Sequence, residues 1–126
     1  MHLEGDCAFV QPRPLQGTVV VPPSKSETHR ALVLAARSPE AVRVRGPLNA
    51  QDTQSTREAI EGFGASIDEE QGSWLVRSKR LGPPTRVIDC GNSGTTLRLM
   101  TAQAALMPAT IELTGDDSLR RRPNQP

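Results

Sequence analysis

The β-branched run Gly17-Thr18-Val19-Val20-Val21 lies between a glycine and Pro22-Pro23, and it predicts a strand. Ser24 is a good helix N-cap, and Lys25 to Arg37 predicts the helix that follows, with Ala31–Ala36 apolar enough to be largely buried. Ala41–Arg45 alternates apolar and basic residues up to Gly46-Pro47, which predicts a strand. Asp52 or Thr53 is the expected cap of a second helix, Gln54–Phe63, stopped by Gly64. Ala65–Glu69 and Ser73–Arg77 read as two strands around a Glu70-Gln71-Gly72 turn, followed by a loop over Leu81–Thr85. A strand over Arg86–Cys90, a Gly91–Gly94 loop, a helix over Thr95–Met107 and a strand over Thr110–Thr114 complete the order. Residues 1–16 show little periodicity and suggest a lead-in with one short strand around Ala8–Val10.

The order is β-α-β-α-β-β and then β-α-β, so the second run matches the start of the first. Setting Arg98 on Arg30 gives a repeat offset of 68 residues. Both segments place small hydroxyl or glycine residues between a strand and a helix that carries Arg one turn in. The expected fold is therefore α/β (α+β), with one βαβαββ unit over about 17–79 and part of a second over about 85–126. On that pattern the second unit's next helix is expected to start around 122–126, where the sequence stops, so the chain reads as a fragment that would fold poorly alone.

Composition narrows the function. The 126 residues include 15 basic and 14 acidic side chains, net +1, which excludes a strongly basic nucleic-acid arm. Three aromatic residues leave no stacking platform for single strands. No apolar run approaches the ~20 residues of a membrane helix. Met1–Asp6 shows no secretory leader, and two cysteines, Cys7 and Cys90, are too few for a disulfide framework; free thiols in the cytoplasm are expected.

Three segments carry candidate chemistry. At Ser24-Lys25-Ser26…Arg30 a helix start presents free N–H groups, two hydroxyls and a compact cation, and Arg30 shares a helix face with Ser26. Such a start is an anion site; the plainer reading is a capped helix with solvated cations. The Gly-x4-Gly-Lys spacing of a P-loop is missing. Gly91-Asn92-Ser93-Gly94-Thr95-Thr96…Arg98 repeats that logic with a softer loop, in which consecutive N–H groups can cradle an anion and Arg98 can alternatively pair with Asp89. Gly115-Asp116-Asp117-Ser118-Leu119-Arg120-Arg121-Arg122-Pro123 reads as a loop whose arginines can grip carboxylate or phosphate, or as a self-neutralised charge run. His29 reads as a surface or packing residue, Cys90 and Trp74 read as packing residues, and no metal constellation stands out.

Pro22-Pro23-Ser24-Lys25-Ser26 with Arg30-Ala31-Leu32, Asp89–Arg98, and Gly115-Asp116, Ser118-Leu119 and Arg122-Pro123 together resemble the 5-enolpyruvylshikimate-3-phosphate synthase family. The resemblance covers nearly the whole chain and implies transfer of an enolpyruvyl group from phosphoenolpyruvate to the 5-hydroxyl of shikimate 3-phosphate. Phosphate leaves through a tetrahedral intermediate, without metal or organic cofactor. It further implies that Lys25 contacts both substrates, Ser26 and Arg30 hold shikimate 3-phosphate, and Gly94 and Arg122 bind phosphoenolpyruvate. Ser24, Asn92, Ser93, Thr95 and Arg98 would support them. The family fold closes two similar domains over the substrates, so residues 1–16 would pack with a second domain that holds the catalytic acid/base residues; the whole enzyme is expected to be a monomer. Pro23 and Leu99 depart from residues common in the family, at no named contact. Two alternatives are a non-catalytic anion-binding module and the sister transferase acting on UDP-N-acetylglucosamine, which has Lys-Asn where this chain has Lys25-Ser26.

Overall fold

Gly5, at φ +59°, turns the chain between β1 (His2–Glu4) and β2 (Cys7–Phe9), which pair antiparallel with His2 opposite Phe9. The computed structural model describes residues 2–9, 11–12, 14 and 16–123. The expected strand around Ala8–Val10 is therefore β2, one residue earlier; Val10 lies outside the described residues, as do 124–126 of the expected second-unit helix start.

Residues 17–24 correct the next expectation. The valine run forms no strand and pairs with no described strand, and Val19, Val20 and Val21 are 82%, 92% and 78% exposed. β-branched residues favour extended backbone, but a strand forms only against a partner. The first repeat unit thus lacks its leading strand among the described residues.

Ser24 caps α1 (Lys25–Ala36), its side chain accepting the Glu27 N–H. Only one face of this helix is buried, through Thr28, His29, Leu32, Ala35 and Ala36. Leu34 is 70% exposed, so the apolar stretch is less buried than its composition implied. β3 (Val42–Arg45) leads to Gly46, and α2 (Gln51–Gly62) starts earlier than expected. Its N-cap is Ala50, which has no capping side chain. Thr53 substitutes: its hydroxyl bonds the Leu48 and Ala50 carbonyls at 2.6 and 2.8 Å and accepts the Ala50 N–H at 3.0 Å.

β4 (Ser66–Glu70) and β5 (Ser73–Arg77) form the expected hairpin, turned at Gln71 and Gly72, both at positive φ. β5 is the middle strand of a three-stranded antiparallel sheet in the order β3-β5-β4. Trp74 and Val76 point from β5 into the core against Leu32, Ile60 and Phe63, while Arg57 of α2 lies 5.6 Å over the Trp74 ring.

β6 (Ile88–Asp89), α3 (Gly94–Ala104) and β7 (Leu113–Thr114) form a parallel β-α-β unit with Ile88 opposite Leu113. Both strands are shorter than their β-branched runs. α4 (Asp117–Arg120), capped by Asp116, occupies a stretch expected to be a loop. Asp116 accepting from Leu119 N–H is the local signal for it. The two caps also correct the repeat register: Ser24 and Ser93, and then Gly46 and Gly115, are each 69 residues apart rather than 68. Arg30 and Arg98 are thus one residue out of phase, about 100° around their helices.

Candidate functional site

The starts of the three long helices are tied together. The Lys25 ammonium donates to Asp52 Oδ2 at 2.8 Å, joining α1 to α2. The Thr96 hydroxyl reaches the Asp52 carbonyl at 3.3 Å and Ser93 Oγ at 2.7 Å, joining α2 to α3. α1, α2 and α3 therefore bring the positive ends of their dipoles to one end of the molecule. Asp52 sits in the first turn of α2, where a carboxylate is favoured.

Ser93 caps α3, accepting the Thr96 N–H at 3.1 Å, and so fixes the turn that contains Gly94. A methyl group at Gly94 would stand 3.2 Å from Arg98 Nη1 and 3.3 Å from Arg122 Nη1. Two guanidinium groups thus face one backbone position. Arg122 donates to Asn92 Oδ1, Asn92 donates to Asp116 Oδ2 at 2.8 Å, and Asp116 N–H bonds the Gly91 carbonyl at 2.9 Å. A methyl at Gly115 would meet that same Gly91 oxygen at 2.6 Å, so the two glycine turns touch, and α4 carries Arg122 to the start of α3.

The structure brings Asn92, Ser93, Gly94, Arg98 and Arg122 into one cluster and connects Lys25 to it through Asp52. Ser24 serves as a cap. Ser26 and Thr95 are exposed in the first turns of α1 and α3, and Arg30, exposed in the second turn of α1, carries no ion pair among the described residues. Arg98 does not pair with Asp89; that carboxylate accepts the Gly91 N–H at 2.8 Å. Of the three arginines expected to grip an anion, Arg120 is occupied by Asp117. Arg122 is the one that reaches the cluster.

A scan of family models matches residues 10–126 to EPSP synthase (3-phosphoshikimate 1-carboxyvinyltransferase). The chain belongs to the EPSP synthase family. The 3-phosphoshikimate 1-carboxyvinyltransferase of Halobacterium salinarum is 48% identical over 126 residues, covering 98% of this chain and 29% of the relative. That of Methanothermobacter thermautotrophicus is 50% identical over 114 residues, covering 89% and 27%. The solved EPSP synthase of Acinetobacter baumannii superposes with a TM-score of 0.78 at 30% identity, over 85% of this chain and 25% of that one. The chain thus spans less than a third of the length of these EPSP synthases, and it shares their mixed α/β fold.

Within this EPSP synthase segment, sequence reasoning missed Thr56, read Asp52 only as a helix cap, gave Thr96 no role of its own and undervalued His29. His29 is 1% exposed, and its Nδ1 lies 2.7 Å from Thr56 Oγ1. Burial pushes its imidazole below the usual value, against the opposing charge of Asp52 and with a smaller push from Lys25. The available signal was a run of threonines at helix starts, at 28, 53, 56 and 96, all of them buried. Cys90, at the end of β6, is the packing thiol expected: burial, with the Asp89 charge adding, raises it to about 11, so it stays protonated and un-nucleophilic. Among the described residues no group of His, Cys, Asp and Glu could hold a metal, and no helix is long and apolar enough to cross a membrane.

Proposed function

We propose that this chain is the N-terminal portion of a longer enzyme that transfers the enolpyruvyl group of phosphoenolpyruvate to the 5-hydroxyl of shikimate 3-phosphate, releasing phosphate, as a monomer in the cytoplasm. The observation that carries the reading is the Gly94 turn, capped by Ser93 and faced by two guanidinium groups. Both substrates are anions, and such a turn offers backbone N–H groups, a helix dipole and bidentate donors together. Lys25, on the neighbouring helix start, would contact both substrates. Ser26 and Arg30 would hold the shikimate phosphate from the exposed face of α1. Gly94 and Arg122 would bind phosphoenolpyruvate, with Asn92 and Arg98 shaping the turn. Units over about 17–79 and 85–126 would belong to one domain, and residues 1–16 to its junction with a second that supplies the acid and base.

Fixed charges aimed at developing negative charge typically contribute about two orders of magnitude each to rate. Phosphate release from the two substrates, assayed in the chain extended to the length of its relatives, should fall by about that factor in Lys25→Ala and in Arg122→Ala. The 126-residue chain alone should not turn the substrates over. Near-unaltered kinetics in either variant would remove that residue from the site, and no turnover in the extended protein would sink the reading.

A further inference from the structure

We propose that His29, Thr56 and Thr96 form a positioning chain that holds the Ser93-Gly94 turn against the start of α1 and leaves the Ser93 hydroxyl proton uncommitted, available as a donor. The proposal rests on the anion-site reading above and extends it to residues that touch no substrate. From His29 Nδ1 the contacts run 2.7 Å to Thr56 Oγ1, 2.6 Å on to Thr96 Oγ1 and 2.7 Å to Ser93 Oγ. The four side chains belong to three helices and are all 1% exposed or less. His29 sits directly before Arg30, and Ser93 directly before Gly94, so the chain joins the two halves of the candidate site through the interior.

Proton counting gives the chain a direction. His29 Nε2 is buried and has no hydrogen-bond partner. An orphaned buried N–H is rarer than an orphaned acceptor, so the neutral ring carries its proton on Nδ1 and donates it to Thr56. Each hydroxyl has one proton to pass on. Thr56 donates to Thr96, and Thr96 donates to Ser93, with the Asp52 carbonyl at 3.3 Å as its second acceptor. Ser93 Oγ also accepts the Thr96 N–H at 3.1 Å, so both of its lone pairs are filled. The proton of Ser93 is thereby left free to donate, from the residue that caps α3 and precedes Gly94. Reversing the direction would leave Nε2–H without an acceptor and turn the Ser93 proton inward.

The test uses the chain extended to the length of its relatives, in which the proposed second domain completes the site. In its imidazole nitrogen spectrum, His29 should carry the proton on Nδ1. Titration with phosphoenolpyruvate, and separately with shikimate 3-phosphate, should move the Asn92 and Gly94 amide resonances. Thr56→Val keeps the shape and deletes the hydroxyl; it should shift the Gly94 amide and weaken the response about tenfold. Thr56→Ser should restore it. A proton found on Nε2 overturns the proposal even if Thr56→Val fails to fold. An unchanged response in Thr56→Val overturns the positioning chain alone. No response in the unaltered chain removes the anion site itself, and the proposal with it.

Discussion

Burial sets the state of His29, and it makes the fold sensitive to acid. Its folded value lies below the ordinary 6.5, so between the two values the unfolded chain holds a proton that the folded chain does not. Stability is therefore at its fullest above about 6.5, declines as pH falls from there, and stops declining below the folded value. The urea midpoint should drop between about pH 7.5 and 5 in the unaltered chain, and less so in His29→Asn. Equal slopes would show that other groups carry the acid sensitivity. Asp52 works against the shift and Lys25 with it, so Lys25→Met should narrow the pH window by raising the folded value.

The starts of the elements depend on hydroxyls more than on charge. Thr53→Val keeps the side-chain volume but leaves the Ala50 N–H without its partner; a loss of about 1–3 kcal/mol, read by urea unfolding, is expected. Gly115→Ala drives a methyl toward the Gly91 carbonyl and the Leu119 side chain. It should cost about 1–3 kcal/mol and loosen the Arg122 contact to Asn92, because backbone cannot yield as a side-chain tip can. A wild-type midpoint would mean that α4 shifts freely. These positions also mark what the sequence made legible. The β4–β5 hairpin was readable because its alternation and its Gly72 turn agree, and the caps at Ser24 and Ser93 because their chemistry is local. Ala50 was unreadable as a cap, since the bond it needs comes from Thr53 three residues on. α4 was hidden by Arg120 and the two arginines after it, which resemble a solvated loop until Asp116 is recognised as a cap. The site residues could be named in sequence, but the hydroxyl contacts between helices are long-range and left no periodic trace.

Across the whole molecule, helices and sheet pack into one core from Leu32 to Leu119, while the valines of 19–21 lie outside it. Val20→Ser should leave the stability of this chain within about 0.5 kcal/mol, since a 92% exposed side chain has no burial to lose. A larger loss would mean that residues 19–21 are packed in solution. The two cysteines differ as sharply: Cys7 is exposed, and Cys90 is fully buried with its thiol raised to about 11. A maleimide dye should consequently mark folded molecules once, at Cys7, and leave them intact. Cys90 then becomes a clock. Its N–H bonds the Thr114 carbonyl beside the β6–β7 pair, so the rate at which a small alkylating agent reaches it counts how often that pair opens and uncovers the Gly91 turn.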